Sequence, residues 1–127
     1  MSGSITQYLE DKVVDHILGT ATYTKPSSVY VALYTTAPTK TTSGTEVTGG
    51  SYVRKVATFT ASSSGLSSNS ADIDFTSMPT CIVVAVGVFD SLTSGNLLFF
   101  STLDTSKSLT SGDTFRIATG DLDISIN

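Results

Sequence analysis

Few side chains in this sequence could carry chemistry, and their spacing argues against it. His16 is the only histidine and Cys81 the only cysteine, and they stand far apart in the chain. Together they make no recognisable zinc site. His16 follows Asp15 and lies four positions after Lys12 in a helical stretch, so it reads as part of a solvated helix face. No G-x-S-x-G elbow is present to seat a nucleophilic serine. Asp72 with Asp74, and Asp121 with Asp123, are i, i+2 pairs that would share one face of a strand and could hold a hard cation. Neither comes with an EF-hand loop, and both alternate with apolar residues, so each reads as the wet side of a strand. Gly49-Gly50 lacks the G-x-G-x-x-G spacing and precedes a strand-like run, the wrong setting for a dinucleotide fingerprint. Cys81 sits beside Ile82-Val83-Val84 and reads as a buried, inert thiol. These residues predict a non-enzyme with no cofactor and no metal.

The elements that position these side chains belong to one domain, residues 1–127. A chain of this length buries roughly two-thirds of its unfolded surface and needs no staple to fold. Charged residues are 14% of the chain, against roughly 25% in an average globular protein. Ser and Thr fill the gap, as in Ser62-Ser63-Ser64 and Thr41-Thr42-Ser43. The net charge of −4, with seven Lys and Arg, leaves no footprint for nucleic acid. The longest apolar run, Ile82 to Phe89, is too short to span a bilayer, and no signal peptide is visible. With a single thiol, no internal disulfide is possible, which fits a protein made in a cytosol.

Ser4 with Gln7 forms a capping-box pattern, and Ile5, Leu9, Val13 and Ile17 recur every four residues up to Gly19. This predicts a helix over about 5–18 that packs on a sheet edge or docks on another subunit. From about residue 28 the period becomes two. Val29, Val31 and Leu33 alternate with Tyr30, Ala32 and Tyr34, so this strand is central and covered on both faces or at an interface. Tyr52 to Thr60 reads as a strand, and Ile73 and Phe75 alternate with two aspartates in another. Ile82 to Phe89 reads as the heart of the sheet, and Ser94-Gly95-Asn96 turns the chain into Leu97 to Ser101. Leu103 and Leu109 bracket a polar excursion before strands at Phe115 and at Leu122 to Ile126. The pattern predicts a mainly β domain, an antiparallel, jelly-roll-like β-sandwich of about seven or eight strands with one N-terminal helix.

Between Thr35 and Lys55 lies a long polar connection, "TTAPTKTTSGTEVTGGSYVRK". Connections of that length are uncommon in compact domains and are often functional. Pro38 would stiffen its start and Gly49-Gly50 would let it bend before Tyr52. The stretch reads as an arm that orders on a neighbouring subunit, with Pro38, Lys40, Glu46, Val47, Gly49, Gly50, Tyr52 and Arg54 as interface candidates. On that reading, deleting Lys40 to Thr45 weakens attachment and leaves the melting temperature nearly unchanged.

"YVALYTTAPT" followed by "GTEVTGGSYVRKVATF", then "SNSADIDF", "VGVFDSLTSGNLLFF" and "SKSLTSGDTFRIATGDLDISI", resembles a family of small tailed-bacteriophage virion proteins, loosely labelled tail fibre proteins. The helix ending "DHILG" continues the likeness. Between Phe75 and Val86 the chain departs from that pattern, since "TSMPTCIVVAV" lacks the Trp-Gly pair of many relatives. The resemblance implies a structural component of the virion. No coiled-coil or β-helical repeat offers a fibre shaft, so a capsid decoration (cement) protein bound to the major capsid protein ranks first. A tail fibre or baseplate component bound to tail proteins ranks second. A carbohydrate-binding module ranks third, with Tyr23, Tyr30, Tyr34 and Tyr52 as the aromatic faces a sugar would need. The low-charge surface and doubly apolar strands predict self-association, most simply as a homotrimer.

Overall fold

β-Branched and aromatic residues at period two set most of the chain into strands. The computed structural model describes residues 2–126; Met1 and Asn127, the ends of the expected domain, lie outside the described residues. The elements run β1 (Ser2–Ile5), α1 (Gln7–Leu18), β2 (Val29–Thr36), β3 (Thr45–Glu46), β4 (Lys55–Ala57) and β5 (Leu66–Ser68). They continue as β6 (Ile73–Phe75), β7 (Cys81–Phe89), β8 (Leu97–Leu109), β9 (Phe115–Ile117) and β10 (Asp123–Ser125). Eight strands form one sheet in the order β3-β2-β7-β8-β1-β10-β5, with β4 on the same edge of β2 as β3. β6 and β9 form a separate two-stranded ribbon. The fold is mainly β with one helix, as expected. It has more strands than the seven or eight read from the pattern, because short strands such as β3 and β5 carry no alternation long enough to see. One pair, β1 with β10, is parallel, and the others are antiparallel.

The core lies between the large sheet and the ribbon. Val31 and Leu33 of β2 and Val86 and Val88 of β7 face Ile73, Phe75, Phe115 and Ile117, with Met78, Leu109 and Leu122 closing the cluster. Phe75 meets Phe115 edge-on and stacks on Tyr52. The other face of β2 and β7 is also buried. Ala32, Tyr34, Ala85 and Phe89 cluster there under Ala37 and Leu97. So β2 is covered on both faces within the protomer. Gly87 makes room for this outer layer, since a Cβ there would sit 2.8 Å from Tyr34 Cε1 and 2.7 Å from Leu97 Cδ1.

A bulge keeps the long apolar run of β7 in phase with the core. Val83 pairs with Lys107, but Ala85, two residues on, pairs with Thr102. The extra residues of β8 arc outward, which carries Leu109 back into the core. The expected polar excursion between Leu103 and Leu109 is therefore part of one long strand. Tyr52 to Thr60 is extended as expected, but only Lys55–Ala57 pairs as a strand.

The helix begins two residues later than its capping-box pattern suggests. Ser4 and Ile5 join the sheet, opposite Phe100 and Phe99, because Ile5 gains more burial there than on a helix face. Thr6 is the N-cap: its Oγ1 accepts from Leu9 N at 3.4 Å and donates to the Leu97 and Leu98 carbonyls. Gly19, with φ of 82°, ends the helix as expected. Leu9 packs with Ile5 and Leu98 at the sheet, but Ile17 and Leu18 do not reach it.

Candidate interface

The polar connection folds back onto its own protomer. Pro38 is buried, and the chain turns at Thr39 to Thr42, where Thr39 N donates to the Thr42 carbonyl at 3.0 Å. Gly44, with φ of 61°, allows the tight return: a Cβ there would lie 2.5 Å from the Thr36 carbonyl oxygen. Lys40 fastens this turn to the helix twice. Its carbonyl accepts from Gln7 N at 3.0 Å, and its Nζ pairs with Glu10 at 2.8 Å. Deleting Lys40 to Thr45 would remove both bonds and half of β3, so the melting temperature would fall, contrary to the expectation above.

Glu46 and Arg54 then make a clamp. Nε and Nη2 of Arg54 donate to the two carboxylate oxygens of Glu46, at 3.0 and 2.9 Å. Nη1 donates to the carbonyls of Ser91 and Ser94, at 3.0 and 2.7 Å, so one guanidinium ties the connection to the β7–β8 turn. Its carbon lies 3.6 Å from the Phe89 ring centroid, over the ring face. Tyr52 completes the set: its hydroxyl donates to Glu46 at 2.7 Å and accepts from Leu33 N at 2.9 Å. The Arg54 side chain is only 9% exposed and that of Glu46 26%. Burial pushes the Glu46 carboxyl up, but the bonds from Arg54 and Tyr52 and the Arg54 charge outweigh it, and the group is held below the usual carboxylate range. Burial, reinforced by the Glu46 bond, raises the Tyr52 phenol.

Over this clamp lies a depression of about 410 Å³ whose lining includes Glu46, Val47, Gly49, Tyr52 and Arg54. Five of the eight candidates thus meet at one place. Pro38 and Lys40 lie away from it, and Gly50 packs against Pro79. Val47 is buried, and its N–H donates to the Leu33 carbonyl at 2.9 Å. The exposed apolar groups at this site are two that sequence reasoning missed: Val53, 52% exposed, and Leu92, 50% exposed. Leu92 is a lone apolar residue in a turn sequence, "SLTSGN", and that oddity is the signal available beforehand; Val53 follows Tyr52 in a strand-like run and carries no such signal.

Several titratable groups elsewhere are tied to partners of their own. Arg116 pairs with Asp74 through Nε at 2.6 Å and Nη2 at 3.1 Å, and Asp72 accepts from Thr119 N at 2.8 Å and Thr119 Oγ1 at 2.9 Å. Those two bonds from Thr119, with help from the Arg116 charge, hold the Asp72 carboxyl below the usual range. Asp123 accepts from Ser68 Oγ. His16 Nδ1 accepts from Tyr23 N at 3.1 Å on the exposed helix end. Cys81 is half-buried, not fully buried as expected, because it opens β7 at the sheet's end; burial still pushes its thiol up. Of the four tyrosines considered for sugar stacking, Tyr34 is buried and Tyr52 lies against Phe75.

These contacts make a platform, with saturated polar groups beneath an apolar rim. Comparison with known families decides its context. The family described as Podophage GP4 fiber I protein gp80 matches residues 4–125. The chain belongs to this family. The match takes in the end of β1, the helix and every later strand. No curated protein matches the chain. The family is one of phage fibre-type structural proteins, in keeping with the reading of the chain as a virion component without catalytic machinery. No helix among the described residues is long and apolar enough to cross a membrane.

Proposed function

We propose that this protein is a non-enzymatic component of a tailed-phage fibre, bound to other tail proteins of the virion and assembled as a homotrimer. The family match over residues 4–125 carries this reading. It reverses the order reached from the sequence, where the lack of a shaft favoured the capsid shell. A capsid decoration role has only that lack of a shaft behind it and ranks second.

The platform over the Glu46–Arg54 clamp is the contact face in this reading. Its floor is rigid, because Arg54 holds three chain segments at once. Its rim presents Val53 and Leu92, an anchor pattern suited to an apolar side chain of a partner. Changing both to aspartate (Val53→Asp with Leu92→Asp) is expected to leave the melting temperature within about 2 °C, since surface changes are usually within ±0.5 kcal/mol. Incorporation into virions should drop at least about tenfold when the variant is the sole copy supplied. Normal incorporation would show that this face makes no essential contact.

A further inference from the structure

The apolar stripe of α1 outruns the sheet beneath it. Leu9 is buried and Val13 half-buried, but Ile17 is 72% exposed and Leu18 74%. Helix ends usually fray to polar residues; here two large aliphatic groups stand in solvent directly before the Gly19 stop. Close to the same helix the sheet leaves an open cleft of about 320 Å³, lined by Val29, Phe59, Ser67, Val88, Phe99 and Ile124. Val29 and Phe99 pack against the Ile5–Leu9–Leu98 cluster as well, so the helix stripe and the cleft share one apolar surface. The protomer therefore carries an apolar knob and an apolar hole, and fills neither.

We infer that the occupant of the cleft is a second copy of this chain, seated head to tail. Ile17 and Leu18 of one copy enter the cleft of the next. Three observations favour a copy over an unrelated partner. First, knob and hole are present in equal number on every protomer, so a closed ring leaves none unmatched. Second, five of the six lining residues are apolar and the sixth is a serine, which suits aliphatic side chains and no charged or sugar ligand. Third, the charges are complementary. Asp11 and Asp15 share a helix face with Leu18, while Lys55 of β4 pairs with Val31, two positions along from the pair that Ala57 makes with Val29 of the cleft. None of these three makes an ion pair among the described residues. A head-to-tail contact would bring the acidic helix end toward the lysine-bearing side of the cleft.

This contact rests on the self-association proposed above, and the two fail differently. Sedimentation velocity on the wild-type chain at micromolar concentration should give a trimer. The variant Ile17→Asp with Leu18→Asp should raise the dissociation constant by about 30-fold or more and sediment as a monomer, with a circular dichroism spectrum still that of the folded protein because both residues are exposed on the protomer. Two further proteins, Leu18→Cys and Ser67→Cys, each also carrying Cys81→Ser, are then mixed and oxidised. A disulfide joining one chain of each kind is expected, above the level of like-with-like dimers. A wild-type trimer that survives the double aspartate change, or a mixture that gives no mixed disulfide, overturns the helix-in-cleft contact while leaving self-association standing. A wild type that stays monomeric throughout the range overturns both.

Discussion

Replacing Arg54 with alanine should cost about 3 kcal/mol and lower the melting temperature by roughly 10 °C. The loss exceeds that of an exposed ion pair because of what is left behind. Glu46, three-quarters buried, would keep one hydrogen bond from Tyr52 and lose both from the guanidinium. The carbonyls of Ser91 and Ser94 would lose their donor, and Phe89 the cation over its ring. Lysine at 54 should recover little, since an ammonium cannot form the two-pronged bond to Glu46 while reaching Ser91 and Ser94. Changing Glu46 to alanine as well should cost less than the sum of the single changes, because no unpaired charge then remains. The clamp also sets the response to pH. Glu46 titrates below its unfolded value, so its contribution is present above about pH 4.5 and is lost as pH falls through the lowered value. The phenols of Tyr34 and Tyr52 are raised, so stability is complete below about pH 10 and declines as pH rises beyond it. Thermal melts from pH 3 to 11 on both proteins check this, and an Arg54→Ala melting temperature within about 2 °C of wild type would refute the clamp.

The second large effect is expected at Asn69, which is buried where β5 hands over to β6. Its Oδ1 accepts from Leu122 N at 2.9 Å, and its Nδ2 donates to the carbonyls of Ala71 and Ala118, at 2.9 and 3.0 Å. Its backbone exchanges further bonds with Leu122 and Gly120. The side chain therefore supplies what a missing strand would: partners for three main-chain groups at the corner joining the ribbon to the large sheet. Alanine would orphan the buried Leu122 N–H, take the side-chain donor from the Ala71 carbonyl and leave the Ala118 carbonyl with Asp121 N alone, at about 1–3 kcal/mol for each group that water cannot reach, so a total of about 2–3 kcal/mol is expected. Aspartate should be no better. It keeps the acceptor for Leu122 N but turns a carboxylate toward two carbonyl oxygens. Urea unfolding of wild type, Asn69→Ala and Asn69→Asp checks this, with an unchanged slope expected and a lower midpoint for both variants. A cost below about 1 kcal/mol for alanine would mean that water replaces the amide.

These two residues show where the sequence was legible. Alternation carried the strands whose two faces differ sharply. Ile73 and Phe75 against Asp72 and Asp74 is the clearest case, and each aspartate proves to be tied across to Arg116 or Thr119. The helix was legible from its four-residue stripe, but not its start, because only the pairing of Ile5 with Phe99 tells strand from first turn. The clamp was not legible. Arg54 lies 8 positions from Glu46 and 37 and 40 from Ser91 and Ser94, and no periodicity links them. Asn69 stands in a Ser-rich stretch, and nothing near it in sequence marks its bonds to Ala118 and Leu122, 49 and 53 positions on. The polar connection drew notice for its length, yet its composition says nothing about direction. Hydroxyl-rich residues can face a partner or cap their own protomer, and Lys40, Glu46 and Arg54 do the latter. Exposed apolar side chains were the reverse case. Ile17 belongs to a stripe that looks wholly buried on paper, and only the extent of the sheet reveals that it overhangs.

The position of the protein in the particle bears most directly on its proposed function. A cryo-EM map of the whole virion, fitted with the eight-stranded sheet and its projecting helix, is the measurement to make. The fibre reading predicts this density at the tail, in clusters of three, with a few to a few dozen copies per particle. Density repeated over the capsid lattice in hundreds of copies would contradict it and make the protein a shell decoration.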